Sequence, residues 1–374
     1  MPGSIWINCS EASGDMYAGA LAGELLRLDP QLEIGGLGGR MLERGGAKVH
    51  FPMARLCFAG FIDVLRGLPG IFRLHREIVR AWKRHRPDVV VMIDCPDFNL
   101  PLAKAAHAMG IPVLYFIAPQ FWAWKQQGLK TLRRCVRSTL CALPFEPTFL
   151  RDRGCRSLYA GHPLLDMIPL QSLDRVQVDQ YQVGIMPGSR KKEIAFLLPA
   201  FGEAAARIHR EMPWISFSIA RAPGIGRRYV RRFWPDGVPA VIVEPDDRFE
   251  MIRRSGMVLA ASGTATLETG LIGTPTIVAY KLDPPAAYLL RRLATSKWIS
   301  LTNILLREEV FPEYLQERAT ADNCHAQMAA WLNDPDQLPH IRNKLQALRR
   351  VAGPTGGIRF AAETILAQRK GERQ

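Results

Sequence analysis

Two short stretches place reactive side chains where a folded chain could use them. In Asp88 to Asn99, DVVVMIDCPDFN, a β-branched apolar run ends abruptly in two carboxylates, a proline and an amide. A continuous apolar run marks a parallel strand covered on both faces, and open α/β sheets bind ligands just beyond their strand ends. Asp94 follows the run directly, where an unneeded charge would be costly, so it is the candidate general base. The pattern alone does not separate Asp97 from Asp94 as the base; Asp97 and Asn99 can face the same ligand or cap the helix expected over 100–109, and both readings stay open. Far along the chain, a strand ends in Met186-Pro-Gly188-Ser189-Arg190, where backbone N–H groups and a guanidinium could grip a pyrophosphate. A third strand ends in Ser262-Gly263-Thr264. Small residues there let a phosphate approach a helix start, with Ser262 or Thr264 as N-cap and Glu268 one turn inside to accept ribose hydroxyls or simply meet solvent.

These groups need strands to carry them, and the chain supplies two series. In the first half, strands at 4–10, 32–37, 88–94, 111–117, 138–143 and up to 159 alternate with helices. Residues 161–180 break the pattern and read as a linker, and a second strand and helix series begins near Gln182. The expectation is α/β: two doubly wound Rossmann-like domains with a cleft between them. Their boundaries are 1–165, 166–345 and a helical tail at 346–374 that crosses back to the first domain. The first strand leads through Glu11, Ser13 and Gly14 into a helix, a weak anion-binding turn on its own. After the strand at 111–117 comes APQFWAWK, either an aromatic plug or a platform for a sugar or acyl chain, with Gln120 and Lys125 as donors beside Trp122.

The chain has 374 residues, 48% hydrophobic and 22% charged, with net charge +14. The charge points to an anionic partner. No recognised nucleic-acid module appears, and the basic residues, apart from runs such as Arg227-Arg228, cluster beside apolar ones, so no nucleic-acid partner is expected. Residues 66–86 hold seven Lys or Arg against one Glu. On a helical wheel Ile71, Leu74, Ile78 and Trp82 share one face and Arg73, Arg76, Arg80 and Arg84 the other. The segment before it is apolar and punctuated by Gly67, Pro69 and Gly70. The two together suggest a greasy interfacial lobe carrying Leu65, Leu68, Ile71 and Phe72 against an anionic membrane surface; a core helix with a solvated basic face fits the same pattern. No run of 18 or more apolar residues appears, and the N-terminus lacks a basic n-region or cleavage site, so a cytoplasmic protein that does not span the membrane is expected. Seven scattered cysteines without a CxxC pair imply reduced thiols and no metal site.

SEASGD, GFIDVL, IDCPDFN, APQFWAW, LPFE, GHPLLD, MPGSRKKEI, SGTATLE and SLTNIL occur in this order over nearly the whole chain. Collinear and at these spacings, they resemble lipid-A-disaccharide synthase, a glycosyltransferase family of the B fold. The resemblance implies an inverting transfer from UDP-2,3-diacylglucosamine to 2,3-diacylglucosamine 1-phosphate (lipid X), giving lipid A disaccharide phosphate and UDP. It implies no cofactor, since the UDP-sugar is a substrate, and a peripheral position on the inner membrane; a homodimer is compatible with it. In that scheme Asp94 is the base, and Arg190 with the helix start at 262–264 holds the diphosphate. Glu268 binds ribose, Asn303 completes phosphate or sugar contacts, and Glu11 and Ser13 position a sugar. The chain departs from the family pattern at Ser10, where a glycine is usual, at Ala59 for methionine, and at Thr302 for proline. Another UDP-sugar enzyme of the same fold, a 2-epimerase or a glucosaminyltransferase, is the alternative, and would not need the apolar, basic lobe.

Overall fold

A computed structural model describes residues 3–56, 61–123, 126–282 and 296–370, with no side chains for 61–66, 126 and 370. The chain forms two compact units, one made of Met1–Met167 with Ala352–Gln374, the other of Ile168–Val351.

Unit 1 holds a seven-stranded parallel sheet: β1 Ser4–Asn8, β2 Glu33–Gly38, β3 Lys48–Pro52, β4 Val89–Ile93, β5 Val113–Phe116, β6 Ser138–Cys141 and β7 Ser157–Tyr159, in the order β3-β2-β1-β4-β5-β6-β7. Every residue of β4 is buried, which is why its sequence is an unbroken apolar run. β3 escapes the sequence reading because it is an edge strand whose residues alternate between exposed and half-buried. Unit 2 repeats the plan with β8 Asp179–Met186, β9 Ser216–Ala220, β10 Ala240–Val243, β11 Ser255–Ala261, β12 Thr276–Tyr280 and β13 Glu313–Leu315, in the order β10-β9-β8-β11-β12-β13. Both sheets are doubly wound, and in each the order reverses beside the central strand. The loops after β1 and β4 therefore flank one switch point, and those after β8 and β11 the other, the places where such sheets bind ligands.

The basic segment is a single helix, Phe61–Arg84, that runs through Gly67, Pro69 and Gly70. Gly67, Pro69 and Gly70 therefore do not interrupt the helix, and Phe58, Ala59 and Gly60 of the expected lobe lie outside the described residues. Pro69 removes one N–H bond, a cost of about 3 kcal/mol, and the burial of Leu74, Ile78 and Trp82 further along, at about 1.5–3 kcal/mol each, outweighs it. Trp82 meets Trp6 of β1 edge to face at 6.0 Å in a core shared with Val90 and Met92.

Three carboxylates tie distant segments together. Asp15, 3% exposed, accepts from the N–H groups of Gly39 (2.7 Å), Met41 (3.0 Å) and Leu42 (3.1 Å), capping the helix Arg40–Arg44 from another element. Asp166 accepts from Gly356 (2.5 Å) and Ile358 (2.8 Å), so the last helix, Gly357–Lys370, starts on unit 1. Asp29 holds its far end through Arg369 at 3.3 Å. Asp15→Ala should leave three amide donors without their partner and destabilise unit 1 by about 3 kcal/mol, with Asp15→Asn intermediate. Urea unfolding followed by circular dichroism reads this, and an unchanged midpoint for Asp15→Ala would show that the cap contributes nothing.

Candidate active site

The loop after β4 is the most constrained backbone in unit 1. Asp94 and Cys95 both sit in the left-handed region, with φ of 48° and 44°. Neither is glycine, and each such residue costs of order 1–3 kcal/mol unless its surroundings hold it. Here they do. The Asn99 amide donates to the carbonyls of Asp94 (2.8 Å) and Ile93 (3.2 Å), and the Tyr115 hydroxyl donates to the Asp94 carbonyl as well. The turn throws the Asp94 side chain to the half-buried rim of the sheet while Cys95 becomes the N-cap position of the helix Pro96–Ala108. Asp97 and Asn99 therefore do not cap this helix with their side chains. Asp97 is exposed in its first turn, and Asn99, 1% exposed, is spent on the turn itself.

Glu11 stands across the switch point at the N-cap of the helix Ala12–Leu28, with Ser13 half-buried one turn in. Burial pushes the Cys95 thiol up to about 11 against a lowering hydrogen bond from Ser10, and the charges of Glu11 and Asp94 add to the rise.

Beyond β5, Phe121 is buried in the core, Gln120 is exposed, and Trp122 is half-buried with its ring edge on Phe145 at 5.0 Å. Trp124 and Lys125 lie outside the described residues. The Trp122 indole donates to Glu146 at 3.1 Å. Glu146, 2% exposed, also accepts from Ala142 (3.1 Å) and Leu143 (3.0 Å). Burial pushes its carboxyl up to about 7 against those three donors, and the Asp94 charge adds to the rise. The sequence reading included LPFE without assigning Glu146 a part, because its partner Trp122 lies 24 positions earlier.

In unit 2, Gly188 has φ 110°, and a Cβ there would lie 2.6 Å from Glu193. The Glu193 carboxylate accepts from the N–H groups of Ser189 (3.0 Å) and Arg190 (3.2 Å) and from the Arg190 guanidinium (3.2 Å), closing a capping box on the helix Lys191–Glu211. The amides expected to grip a pyrophosphate are thus occupied by the chain's own carboxylate. The half-exposed guanidinium of Arg190 remains as the cationic group of this turn.

After β11, Gly263 with φ 144° is the N-cap of the helix Thr264–Ile272. Neither Ser262 nor Thr264 caps it by a side chain, contrary to expectation. Among the described residues, no atom beyond its chain neighbours lies within 4 Å of a Cβ built on Gly263, so the helix start is open to a ligand there. Glu268 is 4% exposed and held by the Arg248 guanidinium, Nη2 to Oε1 at 3.2 Å and Nε to Oε2 at 3.4 Å. Thr302, at the departure from the family pattern, is buried and donates to the Thr266 carbonyl at 2.7 Å, bracing the same helix.

Asn303 is a correction. It is fully buried; its amide donates to Phe311 O (2.8 Å) and Glu313 (2.9 Å), and its oxygen accepts from Val310 (3.0 Å) and Phe311 (2.9 Å). Two donors and two lone pairs are all used, so nothing is left for phosphate or sugar. Ile71 is likewise taken by the core of unit 1, whereas Leu68 and Phe72 are 37% and 62% exposed; the Leu65 side chain lies outside the described residues.

Residues 5–356 match the lipid-A-disaccharide synthetase family. The chain belongs to that family. It is 33% identical over 376 residues to the lipid-A-disaccharide synthase of Myxococcus xanthus, covering 98% of this chain and 97% of that one. It is also 33% identical to the enzyme of Neisseria gonorrhoeae over 92% of this chain and 91% of that one. The family is one of glycosyltransferases acting in lipid A biosynthesis. Solved structures give the same fold at low identity. The UDP-GlcNAc 2-epimerase from Neisseria meningitidis bound to UDP-GlcNAc superposes with TM-score 0.64 at 12% identity, over 97% of this chain and 99% of that one. MurG from Acinetobacter baumannii superposes with TM-score 0.60 at 15% identity, over 98% and 100%. This is the B-type glycosyltransferase fold.

Asn303→Ala should destabilise unit 2 by about 3 kcal/mol, since it strands two amides, a carbonyl and a carboxylate. UDP affinity of the folded fraction, measured by calorimetry, should stay as in the unaltered chain. A stable variant with lost UDP affinity would return Asn303 to the ligand.

Proposed function

We propose that this chain transfers the 2,3-diacylglucosamine unit of UDP-2,3-diacylglucosamine to the 6-hydroxyl of lipid X, with inversion at the anomeric carbon. Asp94 takes the hydroxyl proton as the new C–O bond forms and the bond to the UDP oxygen breaks. Inversion needs one base on one face of the sugar. The leaving diphosphate carries the developing charge, and the Arg190 guanidinium with the open start of the helix Thr264–Ile272 stabilises it, without a metal. Glu268, oriented by Arg248, accepts the ribose hydroxyls. Glu11, Ser13, Asp97, Gln120 and Trp122 receive the sugars, and Asn99 contributes through the Asp94 turn.

The observation that carries this reading is the position of Asp94. In a chain of this family, it is the carboxylate that follows the central buried strand, on a strained turn at a switch point.

Acylated substrates reside in a membrane, and the helix Phe61–Arg84 suits its surface. Leu68 and Phe72 are exposed one turn apart, with Arg76 and Arg80 exposed on the same helix. Each basic residue near an anionic surface contributes about 1 kcal/mol, and a buried Phe or Leu about 1.5–3 kcal/mol. Among the described residues no helix is long and apolar enough to cross a membrane, so the proposed association is peripheral.

Disaccharide and UDP should form from the two lipid substrates in detergent micelles with EDTA present. Asp94→Ala should lower kcat roughly 10²- to 10⁴-fold while UDP still binds. Near-normal turnover would remove Asp94 from the chemistry, and UDP binding by the unaltered chain without product would point to another sugar nucleotide enzyme of this fold. Leu68→Ser with Phe72→Ser should weaken sedimentation with phosphatidylglycerol vesicles by at least about tenfold. Unchanged sedimentation would rule out this part of the helix as the contact.

A further inference from the structure

The ends of three neighbouring strands meet around one buried carboxylate. Ile93 of β4 pairs with Phe116 of β5, which pairs with Leu140 of β6. Asp94, the loop carrying Trp122 and the turn 142–146 are therefore side by side along one sheet edge, within about 10 Å across the three strands. Glu146 joins two of them directly, binding the Trp122 indole with one oxygen and the Ala142 and Leu143 amides with the other. A carboxylate has about four lone-pair sites, so one remains. None of these bonds is needed to build the short helix Glu146–Arg151, which has Phe145 at its N-cap and a proline in its first turn.

We infer that Glu146 is a positioning residue for Asp94: it fixes the Trp122 and Phe145 rings beside the base and, by its own charge, raises the basicity of Asp94. The inference rests on the proposed transfer reaction, in which Asp94 is the base.

The chemistry is a coupled pair. Glu146, pushed up to about 7 by burial with the Asp94 charge adding to the rise, takes up its own charge near neutrality. Once both are charged, Asp94 holds a proton more strongly and is the better acceptor for a hydroxyl proton. Among the described residues, the other titratable groups that feel the Glu146 charge are the Cys141 thiol on β6 and the Tyr159 hydroxyl on β7. Both are raised by burial first and by the Glu146 charge second, so neither loses a proton near neutrality. Arg151, on the same short helix, lowers Cys141. Around Asp94 stand Glu11, Asp97, Cys95 and Tyr115, and burial keeps the last two protonated.

The test is kcat/KM against pH from 5 to 9 for the unaltered chain, Glu146→Gln and Trp122→Phe, each checked for folding by circular dichroism. The unaltered enzyme should show an acid limb from Asp94 and a second, few-fold rise centred near pH 7. Glu146→Gln should lack the second rise. Trp122→Phe removes a donor that favours the charged carboxylate, so it should move that rise to higher pH. A purely structural Glu146 would lower the whole profile without changing its shape. A second rise that persists in Glu146→Gln, or that stays in place in Trp122→Phe, would overturn the inference, and Trp122→Phe decides alone if Glu146→Gln does not fold. If the unaltered chain forms no disaccharide, the transferase reading fails, and the coupling is read without turnover. With ¹³C-labelled aspartate, the Asp94 carboxyl signal should shift near pH 7 in the unaltered chain and in no such step in Glu146→Gln. Its constancy in the unaltered chain would overturn the coupling itself.

Discussion

Two adjacent left-handed residues that are not glycine govern unit 1. Asp94 and Cys95 together cost of order 2–6 kcal/mol, and three hydrogen bonds from Asn99 and Tyr115, at about 0.5–1.5 kcal/mol each, offset most of it. The grip is local in space but not in sequence, since Tyr115 comes from the next strand. It leaves Asp94 half-buried at the sheet rim, where the proposed base could still meet a substrate. Everything proposed for the acceptor side depends on that turn.

Many of the polar residues in the motifs serve the scaffold that carries the turn. Asp15 caps a helix it does not belong to, Asp166 starts the last helix, Glu193 closes its own N-terminus, and Asn303 with Glu313 locks the segment before β13. Each satisfies backbone groups, and where those groups are buried, as at Asp15 and Asn303, leaving them unpaired would cost about 1–3 kcal/mol apiece. The result divides labour in unit 2. The turn after β8 keeps its amides for Glu193 and presents Arg190, whereas the helix after β11 is capped by no side chain and is the open one.

The helix Phe61–Arg84 shows how one amphipathic stripe can serve two surfaces. Leu74, Ile78 and Trp82 belong to the core, and Ile71 leans on it, while Leu68 and Phe72 point elsewhere. The wheel drawn from the sequence puts Ile71 on one face with Leu74, Ile78 and Trp82, and the core takes that face while Leu68 and Phe72 stay exposed.

The sequence by itself determined the architecture and nominated the strand ends for the chemistry. Two series of buried strands can only be parallel sheets, and the strand ends at Asp94, Arg190 and Gly263 are where such sheets present ligand groups. Composition and period sufficed because burial on both faces is written into consecutive residues. What only the tertiary structure decided is which polar groups are free to act. Asn303 and the Ser189 amide looked available and are consumed, Glu268 is already clamped by Arg248, and Glu146 looked ordinary and is buried against the Trp122 indole. Hydrogen-bond satisfaction is set by partners 3 to 24 positions away, most of them beyond the reach of a local pattern, so the sequence could nominate donors and acceptors but could not say which were already taken.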